Sequence, residues 1–145
     1  MLGIHDAEHE ETAPHAPNLV ISKLTCSLVG QAQTIKIMPG TLAHQVYRKE
    51  EIVEEFRCNY GLNPEYRDKI GSGELKIAGV DSNGEVRIVE LSDHRFFIAT
   101  LFLPQLSSSS DMPHPLIMAY LRTAIAFQRR LFERSCYVNA KESVM

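Results

Sequence analysis

Two alternating runs joined through Asn-Gly constrain this chain most. Leu75-Lys76-Ile77-Ala78-Gly79-Val80 leads into Asp81-Ser82-Asn83-Gly84, and Val86-Arg87-Ile88-Val89-Glu90-Leu91 follows. Residues alternating at period two belong on a half-buried strand. Asn-Gly tolerates the positive φ of a tight reversal, so the pair reads as an antiparallel β-hairpin. A hairpin cannot bury its apolar face alone, so the rest of the chain must cover it.

The remaining segments supply candidates for that cover. Leu19-Val20-Ile21 and Thr34 to Met38 read as strands, the second stopped by Pro39-Gly40. Thr41 can cap a short helix over Leu42 to Tyr47. Ile52 to Cys58 is strand-like. Pro64 suits the first turn of a short helix through Ile70, ended by Gly71-Ser72-Gly73. Phe96 to Phe102 is a continuous apolar run, the pattern of a strand buried on both faces. Apolar residues from Leu116 to Phe127 recur at helical spacing, which predicts one helix over Pro115 to Phe132. These elements predict a mixed α/β sheet with flanking helices. Residues 1–18 are polar and Pro-ended, and read as a surface loop or frayed tail before a core beginning near Leu19. Residues 136–145 read as a frayed tail.

Composition excludes several classes of function. The chain has 145 residues, 44% hydrophobic, with a formal net charge of −3. No basic run or basic-aromatic stripe points to nucleic acid, and no apolar run approaches the length of a membrane span. Cys26, Cys58 and Cys136 are few, odd in number and far apart, which favours a reducing compartment, and the cytoplasm is the expected location.

No complete catalytic constellation follows from spacing alone. His5 and His9 are four apart with Glu8 between them, a spacing that would share a helix face and hold a metal. The order differs from His-Glu-x-x-His, and a solvated loop competes. No metal site is assigned. Arg57 beside Cys58 could activate the thiol, and a small buried residue is the plainer reading, as for Cys26. His94 and His114 precede ordered segments and could each act as a base. With no partner carboxylate visible, turn or capping roles compete. No Gly-x-Ser-x-Gly surrounds Ser107 to Ser110, and no phosphate-loop or dinucleotide fingerprint exists.

Longer motifs carry a resemblance. Val89 to Ser108, with His114-Pro115-Leu116 after it, resembles the C-terminal motif of CTP synthase. There an acidic-hydrophobic strand leads to His-Pro-Phe-Phe, a buried strand, Phe-His-Pro-Glu-Phe, a Ser/Thr loop and His-Pro-Leu. Glu55 to Asn63 is similar to that family's Arg-His-Arg-His-Arg-Tyr-Glu-Val-Asn, keeping Arg57, Tyr60 and Asn63. Cys26-Ser27-Leu28-Val29-Gly30-Gln31 and Cys58-Asn59-Tyr60-Gly61-Leu62-Asn63-Pro64 resemble a group of small proteins related to the CTP synthase C-terminal region. The resemblance covers roughly Leu19 to Ala126.

It implies the C-terminal part of a three-layer class I glutamine amidotransferase fold over residues 19–135. It implies glutamine hydrolysis by a Cys-His-Glu triad, supplying ammonia for pyrimidine nucleotide (CTP) synthesis, with no cofactor. By the same resemblance the nucleophile elbow lies upstream of Met1, within roughly a hundred further residues. The family His falls on Leu103 and the Glu on Gln105. The glutamine-contacting Arg falls on Asn59, beside Tyr60, and a glutamine-contacting Glu falls loosely on Glu11. Leu carries no proton, and a Gln amide cannot stabilise an imidazolium by charge. The expectation is therefore a truncated, non-hydrolysing domain. Its ligand would be glutamine or another small metabolite, and it would self-associate or meet a complementing chain. A non-enzymatic metabolite- or protein-binding module on the same scaffold is the alternative. Without neighbouring strands, Phe96 to Phe102 would become an edge.

Overall fold

The computed structural model describes residues 3–142, with side chains as far as Phe132. Its strands are β1 (Ala7–His9), β2 (Asn18–Lys23), β3 (Gln31–Ile37), β4 (Glu51–Phe56), β5 (Tyr60–Leu62), β6 (Leu75–Asp81), β7 (Val86–Leu91) and β8 (Ile98–Thr100). The α-helices are α1 (Leu42–Tyr47), α2 (Arg67–Gly71) and α3 (Pro115–Glu142). Short 3₁₀ segments occupy Pro64–Tyr66 and Pro104–Ser107.

A five-stranded sheet in the order β4-β3-β6-β7-β8 is antiparallel throughout. A smaller sheet, β1-β2-β5, pairs β1 parallel and β5 antiparallel to β2. The expected hairpin is β6 and β7, but its turn differs in detail. Only Gly84 takes a positive φ, of 81°. The Asp81 carboxylate accepts from the N–H groups of Asn83 and Glu85, both at 2.9 Å, and Gly84 N–H closes back on the Asp81 carbonyl. A side-chain oxygen thus organises a longer connection than a two-residue turn.

Period-two patterning places the core. Along β4, Ile52, Glu54 and Phe56 are buried, while Glu51, Val53 and Glu55 face out. Ile35 and Ile37 of β3, Ala78 of β6 and Ile88 of β7 join them. Ala43 of α1, Phe102 and Leu116 of α3 pack on this cluster. Burying each large aliphatic or aromatic side chain contributes roughly 1.5–3 kcal/mol. Gly79 lies at an irregularity in the β6–β7 register. A Cβ there would come within 2.9 Å of the Ile88 side chain and 3.0 Å of Ile35, so only glycine leaves these two core residues room.

Helix α1 begins as its sequence directs. Thr41 Oγ1 accepts from His44 N–H at 3.1 Å, and the Glu90 carboxylate reaches across from β7 to accept from Leu42 and Ala43 N–H. A carboxylate on the first turn satisfies otherwise orphaned donors and complements the helix dipole.

Four expectations need correction. Phe96 to Phe102 is not a strand buried on both faces. Only Ile98–Thr100 pairs, at the sheet edge beside β7, with Ala99 exposed and Phe97 42% exposed. Phe102 alone turns fully inward, at 1% exposure, after the strand ends. The polar N-terminal segment contains β1, so ordered pairing starts at Ala7. Strand β4 ends at Phe56, leaving Cys58 in the connection to β5. Helix α3 continues to Glu142, through most of the expected tail; the Cys136 side chain lies outside the described residues.

Candidate functional site

Strand β5 and the exit of β8 bring together most of the residues that the sequence singles out. Cys58 Sγ donates to the Leu101 carbonyl at 3.0 Å. The backbone of Gly61 lies so close to Leu24 and Leu101 that a Cβ would meet their methyls at 2.8 and 3.3 Å. Asn59 and Tyr60 are therefore held beside the segment that leads into Leu103. Asn59 is exposed, and its carbonyl accepts from Leu24 N–H at 2.8 Å. Tyr60 is half-buried against the His9 imidazole, with ring centroids 5.0 Å apart. His9 Nδ1 accepts from Glu11 N–H at 3.1 Å, which places Glu11 in the turn next to the Tyr60–His9 pair.

Leu103, half-buried, is the residue before the 3₁₀ turn, and Gln105 is exposed on that turn. A proton-transfer pair needs a titratable group within hydrogen-bond reach of its substrate. Leu103 offers hydrocarbon and Gln105 a neutral amide.

The other candidates resolve into structural roles. His5 and His9 do not share a helix face, because His9 lies in β1 and His5 precedes it. Among the described residues no cluster of three or more His, Cys, Asp or Glu could hold a metal ion. His94 Nδ1 accepts from Phe96 N–H at 3.3 Å and the ring meets Phe97 edge-on, as befits a turn residue. Cys26 is exposed.

His114 does have a carboxylate partner, which its isolated position in the sequence hides. Glu54, 94% buried on β4, accepts from His114 Nε2 at 2.8 Å, from Tyr47 Oη at 3.1 Å and from Ser107 Oγ at 3.1 Å. His114 Nδ1 accepts from Leu116 N–H at 3.2 Å, so Nε2 carries the proton in a neutral ring. Ser108 Oγ accepts from His114 N–H. Burial first, then the charge and hydrogen bond of Glu54, push the Tyr47 phenol well above its ordinary value of 10.0. Three donors engage both oxygens of this carboxylate, and it pins the Gln105 turn through Ser107. One signal could have found it: Glu54 occupies the inward register between Ile52 and Phe56, where an unpaired charge is not tolerated.

A second buried pair, Arg87 Nη2 to Asp81 Oδ2 at 2.7 Å, ties the hairpin turn to β7. The Arg87 guanidinium also lies 5.8 Å from the Phe56 ring centroid.

The curated relatives it matches are CTP synthases. That of Sulfurisphaera tokodaii is 34% identical over 133 residues, 86% of this chain and 25% of that protein. That of Carboxydothermus hydrogenoformans is 35% identical over 133 residues, covering 85% and 25%. That of Archaeoglobus fulgidus is 40% identical over 96 residues, covering 66% and 18%. The chain is CTP synthase glutamine amidotransferase-like. A solved structure, the Trypanosoma brucei CTPS glutaminase domain with bound acivicin, superposes with a TM-score of 0.80 at 24% identity. It matches 87% of this chain and 53% of its own, which supports the class I amidotransferase-like fold. No protein-family model matches the chain. The chain spans about a quarter of the length of the curated relatives it matches. Among the described residues no helix is long and apolar enough to cross a membrane.

Proposed function

We propose that these 145 residues form a CTP synthase-like glutaminase half-domain that does not hydrolyse glutamine by itself. The observation that carries the reading is the turn after β8. Leu103 and Gln105 stand where the resemblance places the acid-base histidine and its orienting glutamate. Asn59, beside Tyr60, stands where it places the cation for the substrate carboxylate, so an Arg–carboxylate pair is lost as well. The activity ascribed to the complete domain is glutamine hydrolysis, with ammonia delivered to CTP formation in the cytoplasm. Its cysteine nucleophile would have to come from outside these residues, either from a preceding segment or from a complementing chain. The outer edge of β8, which pairs with no strand among the described residues, is a suitable place for such a partner, because a strand edge offers free N–H and C=O groups.

Ammonia release from glutamine by the purified chain tests this. The expected result is no release above the uncatalysed background, for the parent and for the double variant L103H/Q105E alike, since restoring the pair does not supply a nucleophile. Sustained release by the parent would overturn the reading.

A further inference from the structure

Away from β5 and the Gln105 turn, α1 and α3 leave an open groove of about 600 Å³ between them. That volume lies within the range of small-molecule sites, roughly 300–1,000 Å³. Leu42, Val46, Phe96, Pro115, Met118 and Ala119 give it an apolar lining. Arg48 and Arg122 line it as well, and no carboxylate does. Neither guanidinium has an ion-pair partner among the described residues. His44 and Lys49 add positive or ionisable groups in the adjoining depression, with Glu50 the acidic group there.

Arg48 is unusual for its backbone. It ends α1 with φ 53° and ψ 35°, a left-handed conformation in which a β-carbon is penalised and glycine is the favoured residue. The position instead carries a long cationic side chain that borders the groove. An apolar surface flanked by two unpaired guanidinium groups suits a ligand of matching polarity, because guanidinium binds carboxylate or phosphate oxygens through paired N–H donors.

We propose that this groove binds a small amphiphile with one anionic head, carboxylate or phosphate, and an apolar body. The head lies between Arg48 and Arg122, and the body covers Val46, Phe96 and Met118. The site is independent of the amidotransferase reading and shares no residue with it.

The test titrates the full chain with decanoate, decyl phosphate and decanol, each below its aggregation threshold, followed by calorimetry or amide NMR. Saturable binding of at least one anion is expected, with decanol about tenfold weaker. The relative strength of the two anions identifies the head group. R48G removes the cation while relaxing the left-handed residue, so its thermal midpoint should equal or exceed the parent's. It should weaken the anions about tenfold and leave decanol unchanged. R122Q should act in the same direction. Absence of saturable binding by both anions would overturn the proposal. So would decanol binding as tightly as the anions, or R48G leaving their affinity unaltered, as adsorption to the exposed apolar face of α3 would produce.

Discussion

Removing the Glu54 carboxylate tests whether the Glu54–His114–Tyr47 cluster holds the candidate-site turn in place. In Glu54→Ala, the buried His114 Nε2–H and the half-buried Tyr47 hydroxyl each lose an acceptor. An unsatisfied buried donor costs roughly 1–3 kcal/mol. The lost methylene and carboxyl group leave a gap that adds about 1–2 kcal/mol. Ser107 is exposed and turns to water at little cost. The expected destabilisation is about 3–8 kcal/mol, a large part of the roughly 5–15 kcal/mol that ordinary domains possess. Glu54→Gln should behave differently. Its amide oxygen can still accept from His114 and Tyr47 while its NH₂ faces Ser107, whose hydroxyl can rotate to accept. Only the charge assistance is lost, about 1–2 kcal/mol. Urea unfolding monitored by circular dichroism provides the comparison through the midpoint at constant slope. Imidazole ¹⁵N shifts at neutral pH should show a neutral ring protonated at Nε2 in the parent. Equal losses for Ala and Gln, or a loss below about 1 kcal/mol for Ala, would refute the account of Glu54 as the shared acceptor.

The Tyr47 phenol should resist ionisation in an ultraviolet pH titration carried through pH 10. Because its folded value lies above its unfolded one of 10.0, its contribution to stability is complete below pH 10 and is lost as pH rises above it. Glu54→Gln should bring the phenol's ionisation back toward the ordinary range in the same spectrum, since one of its causes is the Glu54 charge. Asp81→Ala removes both the partner of buried Arg87 and the acceptor of two turn N–H groups, and should cost about 3–5 kcal/mol by urea unfolding. Gly84→Ala forces a β-carbon to φ 81° and should cost about 1 kcal/mol in the same assay.

Local chemistry was readable from the sequence where it acts over a few residues. The Thr41 cap, the Pro64 turn and the β6–β7 hairpin lie close to where alternation and turn residues place them. Their hydrogen bonds connect neighbours in the chain, so the residue types carry the information. Phe96 to Phe102 misled for the opposite reason. An apolar run records how much burial a segment requires, not which element provides it. Here the requirement is divided. Phe102 enters the core, Phe96 meets Tyr120 of α3 with ring centroids 5.8 Å apart, and Phe97 stays exposed.

The Glu54–His114 pair was hidden by its sequence separation of 60 residues, yet each half left a trace. Glu54 breaks the apolar register of β4, and His114 sits just before a helix whose first buried residue is Leu116. Each is explained only by the other, because a buried charge needs donors and a buried imidazole N–H needs an acceptor. The same logic separates this cluster from the Leu103–Gln105 turn that it supports. Glu54 has each carboxylate oxygen committed to a donor within the fold, so it is suited to holding a shape. Leu103 and Gln105 have no such commitments and also no titratable group. The chain thus places Glu54 and His114 where they brace the turn, and presents uncharged residues at the positions where the resemblance expects acid-base chemistry.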